Sequence, residues 1–207
     1  MIALFGGSFD PVHLGHLRIA EDIREYFSFE KIIFIPAFIS PLKEKSFAPA
    51  EKRLEMLKIA ISDNPYFDVS DYEIKKEGKS YTIETAIYYR SILNYNPIFI
   101  LGLDAILTLH KWKEPEKLLK IANFIVVQRG EDGFNRLKDY LSKNFPFATI
   151  LKDKNIQKEK TAIYLFNSRK INISSTEIRE RVKSGKSIKY LVLSQIEDYI
   201  YKNKLYL

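Results

Sequence analysis

Six short apolar runs constrain the fold of this chain more than any other feature. They are IALF (2–5), KIIFIP (31–36), PIFIL (97–101), FIVVQ (124–128), FATIL (147–151) and AIYLF (162–166). Near-continuous apolar runs of this length suit strands covered on both faces, as in a parallel sheet. Helix-period segments lie between them. Leu14 to Phe27 is one, and PAEKRLEMLKIAIS (49–62) is another, with Pro49 near its first turn and Leu54, Leu57 and Ile61 on one face. TIETAIYYRSIL (82–93) follows, and EDGFNRLKDYLSKN (131–144) carries Phe134, Leu137 and Leu141 as a stripe. Such alternation predicts an α/β fold with a doubly wound, mostly parallel sheet. From about residue 174 to 207 the chain reads as a small helical region, built on SSTEIRERVKSG and LSQIEDYIYKN.

At 207 residues the chain is long enough for one sizeable core, and no Gly/Ser linker, repeat or low-complexity segment divides it, so one domain over 1–207 is expected. There is no cysteine, which excludes disulfides and thiolate metal sites and fits a cytoplasmic protein. No run of eighteen apolar residues suggests a membrane span, and MIALFGG is too short for a signal peptide and reads as a buried first strand. The net charge of +7 would attract a polyanion such as nucleic acid. Its lysines, however, are mixed with glutamate, as in LKEKSFAPAEKR and KDKNIQKEK, and no stripe of basic and aromatic residues forms a nucleic-acid footprint. No nucleic-acid or membrane partner is expected; the oligomeric state is left open.

Ligands of doubly wound sheets bind beyond the carboxyl ends of the strands. After the first run comes Gly6-Gly7-Ser8-Phe9, then a helix that begins near His13 or Leu14. Glycines let backbone N–H groups approach an anion, and a helix start presents positive potential to the same space. The segment is neither G-x-G-x-x-G nor G-x-x-x-x-G-K-[ST], which removes the main support for hydride transfer or a P-loop. Two of the three histidines, His13 and His16, sit one helical turn apart. Three readings are open: a zinc pair lacking obvious further ligands, two structural imidazoles, or two donors aimed at phosphate. Gly15 between them lets a large ligand come close. Near the other end, Ser174 and Glu177 have capping-box spacing, so Ser175, Thr176 and their backbone N–H groups would crown a second positive helix end. Arg179 follows with a fork of donors suited to phosphate oxygens.

GGSFDPVHLGH resembles the nucleotidylyltransferase signature G-x-F-x-P-x-H-x-G-H at Gly7, Phe9, Pro11, His13, Gly15 and His16, and ISSTEIR (173–179) resembles that superfamily's second motif, I-S-S-T-x-I-R. Across nearly the whole chain the resemblance narrows to the bacterial nicotinate-mononucleotide adenylyltransferases. KIIFIPAFISPLK, SYTIET (80–85), ILGLDAILTLHKW (100–112) and ISSTEIRERVKSGKSIKYLV carry it. Ser40 and Leu42 stand where that family often has Pro and His, so Lys43 alone carries the loop's charge, and Arg129-Gly130 lacks a Pro that often follows the arginine.

The resemblance implies a Rossmann-like nucleotidyltransferase fold and transfer of AMP from ATP to nicotinate mononucleotide, with Mg²⁺ accompanying ATP. It implies that His16, His13, Lys43 and Arg179 serve the phosphates. Gly6, Gly7, Ser8, Phe9, Gly15, Ser174, Ser175 and Thr176 would line the ATP phosphates, with Gly102 and Asp104 at the adenylate ribose. Tyr81, Thr82, Trp112 and Lys113 would take the mononucleotide, and no metal would be held by protein ligands alone. On residues alone, Asp104 also reads as an ordinary helix-start acid, Trp112 as core and Thr82 as a cap. Phosphopantetheine adenylyltransferases and cytidylyltransferases share the first motif and are the nearest alternatives.

Overall fold

The structure, a computed structural model, describes residues 1–41, 46–128, 132–158 and 160–207. The strands are β1 (Ile2–Gly7), β2 (Lys31–Pro36), β3 (Phe67–Val69), β4 (Ile98–Gly102), β5 (Asn123–Gln128), β6 (Ile150–Leu151) and β7 (Ile163–Asn167). The helices are α1 (Leu14–Phe27), α2 (Ala50–Ala60), α3 (Tyr72–Lys76), α4 (Thr82–Ile92), α5 (Leu103–Ile106), α6 (Pro115–Ile121), α7 (Gly133–Asn144), α8 (Ser175–Lys183) and α9 (Ser194–Lys202). A 3₁₀ turn covers Leu109–Lys111.

The seven strands form one sheet in the order β3-β2-β1-β4-β5-β7-β6, every pairing parallel. Alternate residues of each strand face opposite sides, and both sides are covered. Ala3, Ile98, Ile100, Ile125 and Val127 join a core with Ile19 and Ile23 of α1, Ile178 and Val182 of α8, and Ile196 and Ile200 of α9. Their sequence neighbours Leu4, Phe99, Leu101, Phe124 and Val126 turn to a second core with Ile83 and Ala86 of α4, Leu118 and Leu119 of α6, and Leu137 and Leu141 of α7. The expected doubly wound α/β sheet with a helical C-terminal region is therefore present. Each such buried aliphatic or aromatic side chain contributes about 1.5–3 kcal/mol by leaving water. Among the described residues no helix is long and apolar enough to cross a membrane.

Two elements differ from expectation. FATIL was expected to form a strand over 147–151, but only Ile150–Leu151 pair, at the sheet edge beside β7, while Phe147 lies exposed. An edge position covers one flank and one neighbour only, so half of an apolar run can fall out of the ladder. Strand β3 was not anticipated, because three residues offer no periodicity to read. On α2, Leu57 and Ile61 are buried as expected, Leu54 is half-buried, and the buried face also includes Arg53.

The chain steps from β1 outward to β2 and β3, then returns to place β4 on the other flank of β1. This reversal opens a crevice above the carboxyl ends of β1 and β4, where ligands of such sheets bind.

Candidate active site

Leu14 starts α1, and His13 is its N-cap in an extended conformation. The backbone N–H of His16 points at His13 Nδ1 at 3.3 Å, and that of His13 points at His16 Nδ1 at 3.3 Å. Two imidazoles thus build a reciprocal capping box, a job usually given to Ser and Glu. The rings stack with centroids 3.6 Å apart. His13 is buried, whereas His16 is half-buried and rests on the edges of Phe9 (5.0 Å) and Phe5 (6.2 Å). A Cβ on Gly15 would meet His13 Nδ1 at 3.0 Å, so a glycine lets the imidazole lie flat over this turn. Phe9 takes a left-handed conformation, with φ 46°, and buries its ring, which leaves its backbone to face the loop's other side.

The second motif comes to the same loop. Ser174 caps α8 by accepting from Glu177 N at 3.1 Å. Ser175 Oγ donates to the carbonyl of Pro11 at 2.9 Å, and Arg179 Nη1 donates to that of Asp10 at 2.7 Å. Arg179 Nη2 donates to Thr176 Oγ1 at 3.0 Å, and its guanidinium stacks on Phe47, 4.0 Å from the ring centroid. Residues some 160 positions apart in sequence therefore meet as anticipated, and two helix starts, those of α1 and α8, converge on residues 10–16. Leu14 N donates to Leu191 O, which ties the C-terminal region to the same turn.

Beside this loop lies a cavity of about 310 Å³, lined by Gly6, Gly7, Ser8, Tyr81, Thr82, Trp112 and Lys113 among others. A Cβ on Gly6 would meet nothing within 4 Å, so the β1 terminus faces open space. The indole of Trp112 is fixed by donation from Nε1 to Thr108 Oγ1 at 3.1 Å. Lys113 Nζ sits 4.6 Å from the Tyr81 ring centroid and 2.7 Å from Glu84, which also pairs with Lys76 at 2.7 Å. Hydrogen bonds from Lys113 and Lys76 hold the Glu84 carboxyl below its ordinary pKa. Gly102 ends β4 in open space. Asp104, in the first turn of α5, is 96% exposed and 3.6 Å from Arg136, and does not line this cavity. His13, His16 and Arg179 are not among the residues that line the cavity. Lys43 and Arg129-Gly130 lie outside the described residues.

Arg53, Asp10, Glu73 and Tyr206 were not singled out from sequence. Arg53 is fully buried and donates to three loop carbonyls, Ser8 (2.7 Å), Phe38 (2.9 Å) and Ala48 (3.2 Å). Burial pulls its pKa down, with the charge of Asp10 opposing. Asp10 accepts from the N–H groups of Phe47 (2.7 Å) and Ala48 (3.1 Å) and from Tyr206 Oη (2.8 Å). Glu73 is buried at the cavity wall, accepts from Thr85 Oγ1 at 2.6 Å, and has its pKa raised by burial. A helix-period reading assigns Arg53 and Glu73 to solvated faces; only Asp10, inside the first motif, lay within a segment already under scrutiny.

The sheet order, the two converging helix starts and the histidine pair define a nucleotidylyltransferase, and residues 4–181 match the cytidylyltransferase-like family. The chain is 45% identical over 205 residues to the probable nicotinate-nucleotide adenylyltransferase of Hydrogenobaculum sp. (strain Y04AAS1), covering 99% of this chain and 97% of that one. It is 41% identical over 208 residues to the probable nicotinate-nucleotide adenylyltransferase of Dictyoglomus thermophilum (strain ATCC 35947 / DSM 3960 / H-6-12), covering 100% of this chain and 99% of that one. Its structure resembles Plasmodium falciparum nicotinic acid mononucleotide adenylyltransferase complexed with NaAD, with a TM-score of 0.75, 26% identity, and coverage of 99% of this chain and 96% of that one. The chain belongs to the nicotinate-nucleotide adenylyltransferase family.

Proposed function

We propose that the protein transfers AMP from ATP to nicotinate mononucleotide, forming nicotinate adenine dinucleotide and pyrophosphate. The observation that carries this reading is the meeting of the two motifs: Arg179 on the Asp10 carbonyl and Ser175 on the Pro11 carbonyl, beside the stacked histidines, with a cavity of about 310 Å³ beyond Gly6 and Gly7.

A phosphate oxygen of the mononucleotide attacks the α-phosphorus of ATP in line. The bond from that phosphorus to the bridging oxygen breaks, and its electron pair leaves with pyrophosphate. A phosphate monoester has a second pKa of about 6, so the nucleophile is already anionic near neutral pH and no general base is required. The chain's task is positioning and neutralisation of phosphoryl charge. In this reading the imidazoles of His16 and His13 donate to phosphoryl oxygens at the positive end of α1. Arg179 and Lys43 neutralise the departing phosphates. Backbone N–H groups of Gly7, Ser8 and Phe9, with Gly15 and the Ser174–Thr176 turn, line the chain of phosphates. Gly102 and Asp104 serve the adenylate ribose.

Tyr81, Thr82, Trp112 and Lys113 enclose the pyridine ring. Lys111 and Lys113 at the cavity wall favour a ring that carries a carboxylate. Mg²⁺ enters with ATP; the carboxylate of Asp10 is already committed to two N–H groups and a hydroxyl, which suits a cation held by phosphates and water rather than by protein acids. The reaction is assigned to the cytoplasm, in one domain over residues 1–207.

The test is pyrophosphate release from ATP–Mg²⁺ with nicotinate mononucleotide, nicotinamide mononucleotide and phosphopantetheine as acceptors. Turnover fastest with the first is expected. Faster release with phosphopantetheine, or none with any pyridine nucleotide, would overturn the reading.

A further inference from the structure

The geometry points to Tyr206, the penultimate residue, as a positioning residue that aims Arg179 at the triphosphate through Asp10. This rests on the role proposed above for Arg179.

Arg179 is held by three contacts: Nη2 donates to Thr176 Oγ1 on its own helix, and the other two lead back to Asp10. Its Nη1 donates to the Asp10 carbonyl at 2.7 Å. Its face lies on Phe47, whose own backbone N–H donates to Asp10 Oδ2 at 2.7 Å. Phe47 is 68% exposed, and the bonds from Phe47 N and Ala48 N to the Asp10 carboxylate fix the backbone that carries its ring. Asp10 is thus a single buried joint beneath both the edge and the face of the guanidinium. Its remaining donor is the phenol of Tyr206, at 2.8 Å on Oδ1. Removing this donor leaves Oδ1 with the Ala48 N–H alone, a weaker hold on a buried carboxylate.

The tail is carried to this joint by α9, which packs on α2: Lys52 Nζ donates to Asn203 Oδ1 at 2.9 Å, and the Tyr199 hydroxyl bonds Glu55. Leu205 and Tyr206 then pack against the core. Burial, followed by the charge of Asp10, pushes the Tyr206 phenol well above its ordinary pKa, so it remains a donor throughout the working range.

Tyr206→Phe keeps the ring and removes the donor. We expect kcat/KM for ATP to fall about tenfold, the scale of one hydrogen bond to a charged group. The KM for nicotinate mononucleotide should stay within about twofold, and the melting temperature should fall by no more than about 6 °C, the scale for loss of one hydrogen bond to a charged group in a chain of this size. In an Arg179→Ala background, adding Tyr206→Phe should bring no further loss, because the path it serves is already cut. Unchanged ATP kinetics in Tyr206→Phe beside an impaired Arg179→Ala would overturn the inference and leave the reading of Arg179 standing. Parent-like kinetics in Arg179→Ala would overturn both. Equal rises in the two KM values, or additive losses in the double variant, would make Tyr206 a fold residue and sink the positioning role.

Discussion

His13 and His16 lie face to face, ring centroids 3.6 Å apart, and each ring's Nδ1 receives the other residue's backbone N–H. In the proposed reading the two imidazoles do two jobs: their Nδ1 atoms cap α1, and the same rings donate to phosphate. Stacking holds both donors in one orientation, so little reorganisation is needed when a phosphate arrives, which is the condition under which such donors are most effective.

His16→Ala removes both jobs and His16→Asn removes one. Loss of a donor to the transition state should lower kcat by on the order of 10²–10³ in both variants. Only the alanine variant should also lose about 1 kcal/mol of stability, because the asparagine side chain can still accept from the His13 N–H. Single-turnover kinetics and urea midpoints separate the two effects. Near-parent turnover in a folded His16→Ala would remove His16 from the chemistry.

Arg53 ties together the three segments that form the site. It reaches Ser8 at the end of the first loop, Phe38 after β2 and Ala48 before α2. Arg53→Met preserves much of the stem's packing but orphans three carbonyls, each costing about 1–3 kcal/mol where it stays out of water. A loss of roughly 3 kcal/mol in urea unfolding is expected, and Arg53→Lys should restore little of it, since an ammonium lacks the planar fork. A loss below about 1 kcal/mol would mean the loops are held by other contacts.

These residues mark the boundary of what the sequence discloses. The histidine pair, the Ser174 cap and the strand–helix alternation were legible because each is set by local chemistry at spacings of two to four residues. Arg53 was not: an arginine between Lys52 and Leu54 on an amphipathic helix reads as solvated, and only its three carbonyl partners from separate loops make it internal. The bond between Asp10 and Tyr206 spans 196 residues and has no local signature at either end. Strand β3 and the shortened β6 escaped for the opposite reason, being too short or too close to an edge for pattern to decide. Glu73 lay unmarked two residues after Asp71 and beside Lys75 and Lys76, in a segment whose charge pattern looks wholly exposed.

Trp112 has its indole N–H committed to Thr108 and its ring at the cavity wall. Stacking of a heterocycle on such a ring is worth about 1–3 kcal/mol. Trp112→Ala should therefore raise the KM for nicotinate mononucleotide by roughly 10- to 100-fold with the KM for ATP little changed. Trp112→Phe, which keeps a flat surface, should recover most of the difference. Parallel rises in both constants, with a lowered melting temperature, would assign Trp112 to packing instead.

Glu73 makes the protein's stability depend on pH with a definite sign. Burial raises its folded pKa above the ordinary 4.5, partly offset by hydrogen bonds from Thr85 and Ser80 and by the charge of Lys76, while Glu84 adds to the rise. Below pH 4.5 the carboxyl is protonated in both folded and unfolded chains and contributes no penalty. As pH climbs past 4.5 the unfolded chain releases this proton first, so folding stability falls, at up to about 1.4 kcal/mol per pH unit, until the folded carboxyl also ionises. Glu73→Gln removes the titration while its side-chain carbonyl can still accept from Thr85. The unfolding free energy of the variant relative to the parent should therefore rise between pH 4.5 and the folded-state pKa and then level off. Urea titrations of both proteins from pH 4 to pH 8 measure this directly. A difference flat with pH would show that burial does not shift Glu73, and one that favours the parent increasingly as pH rises would show that its charged form is stabilised at the cavity wall.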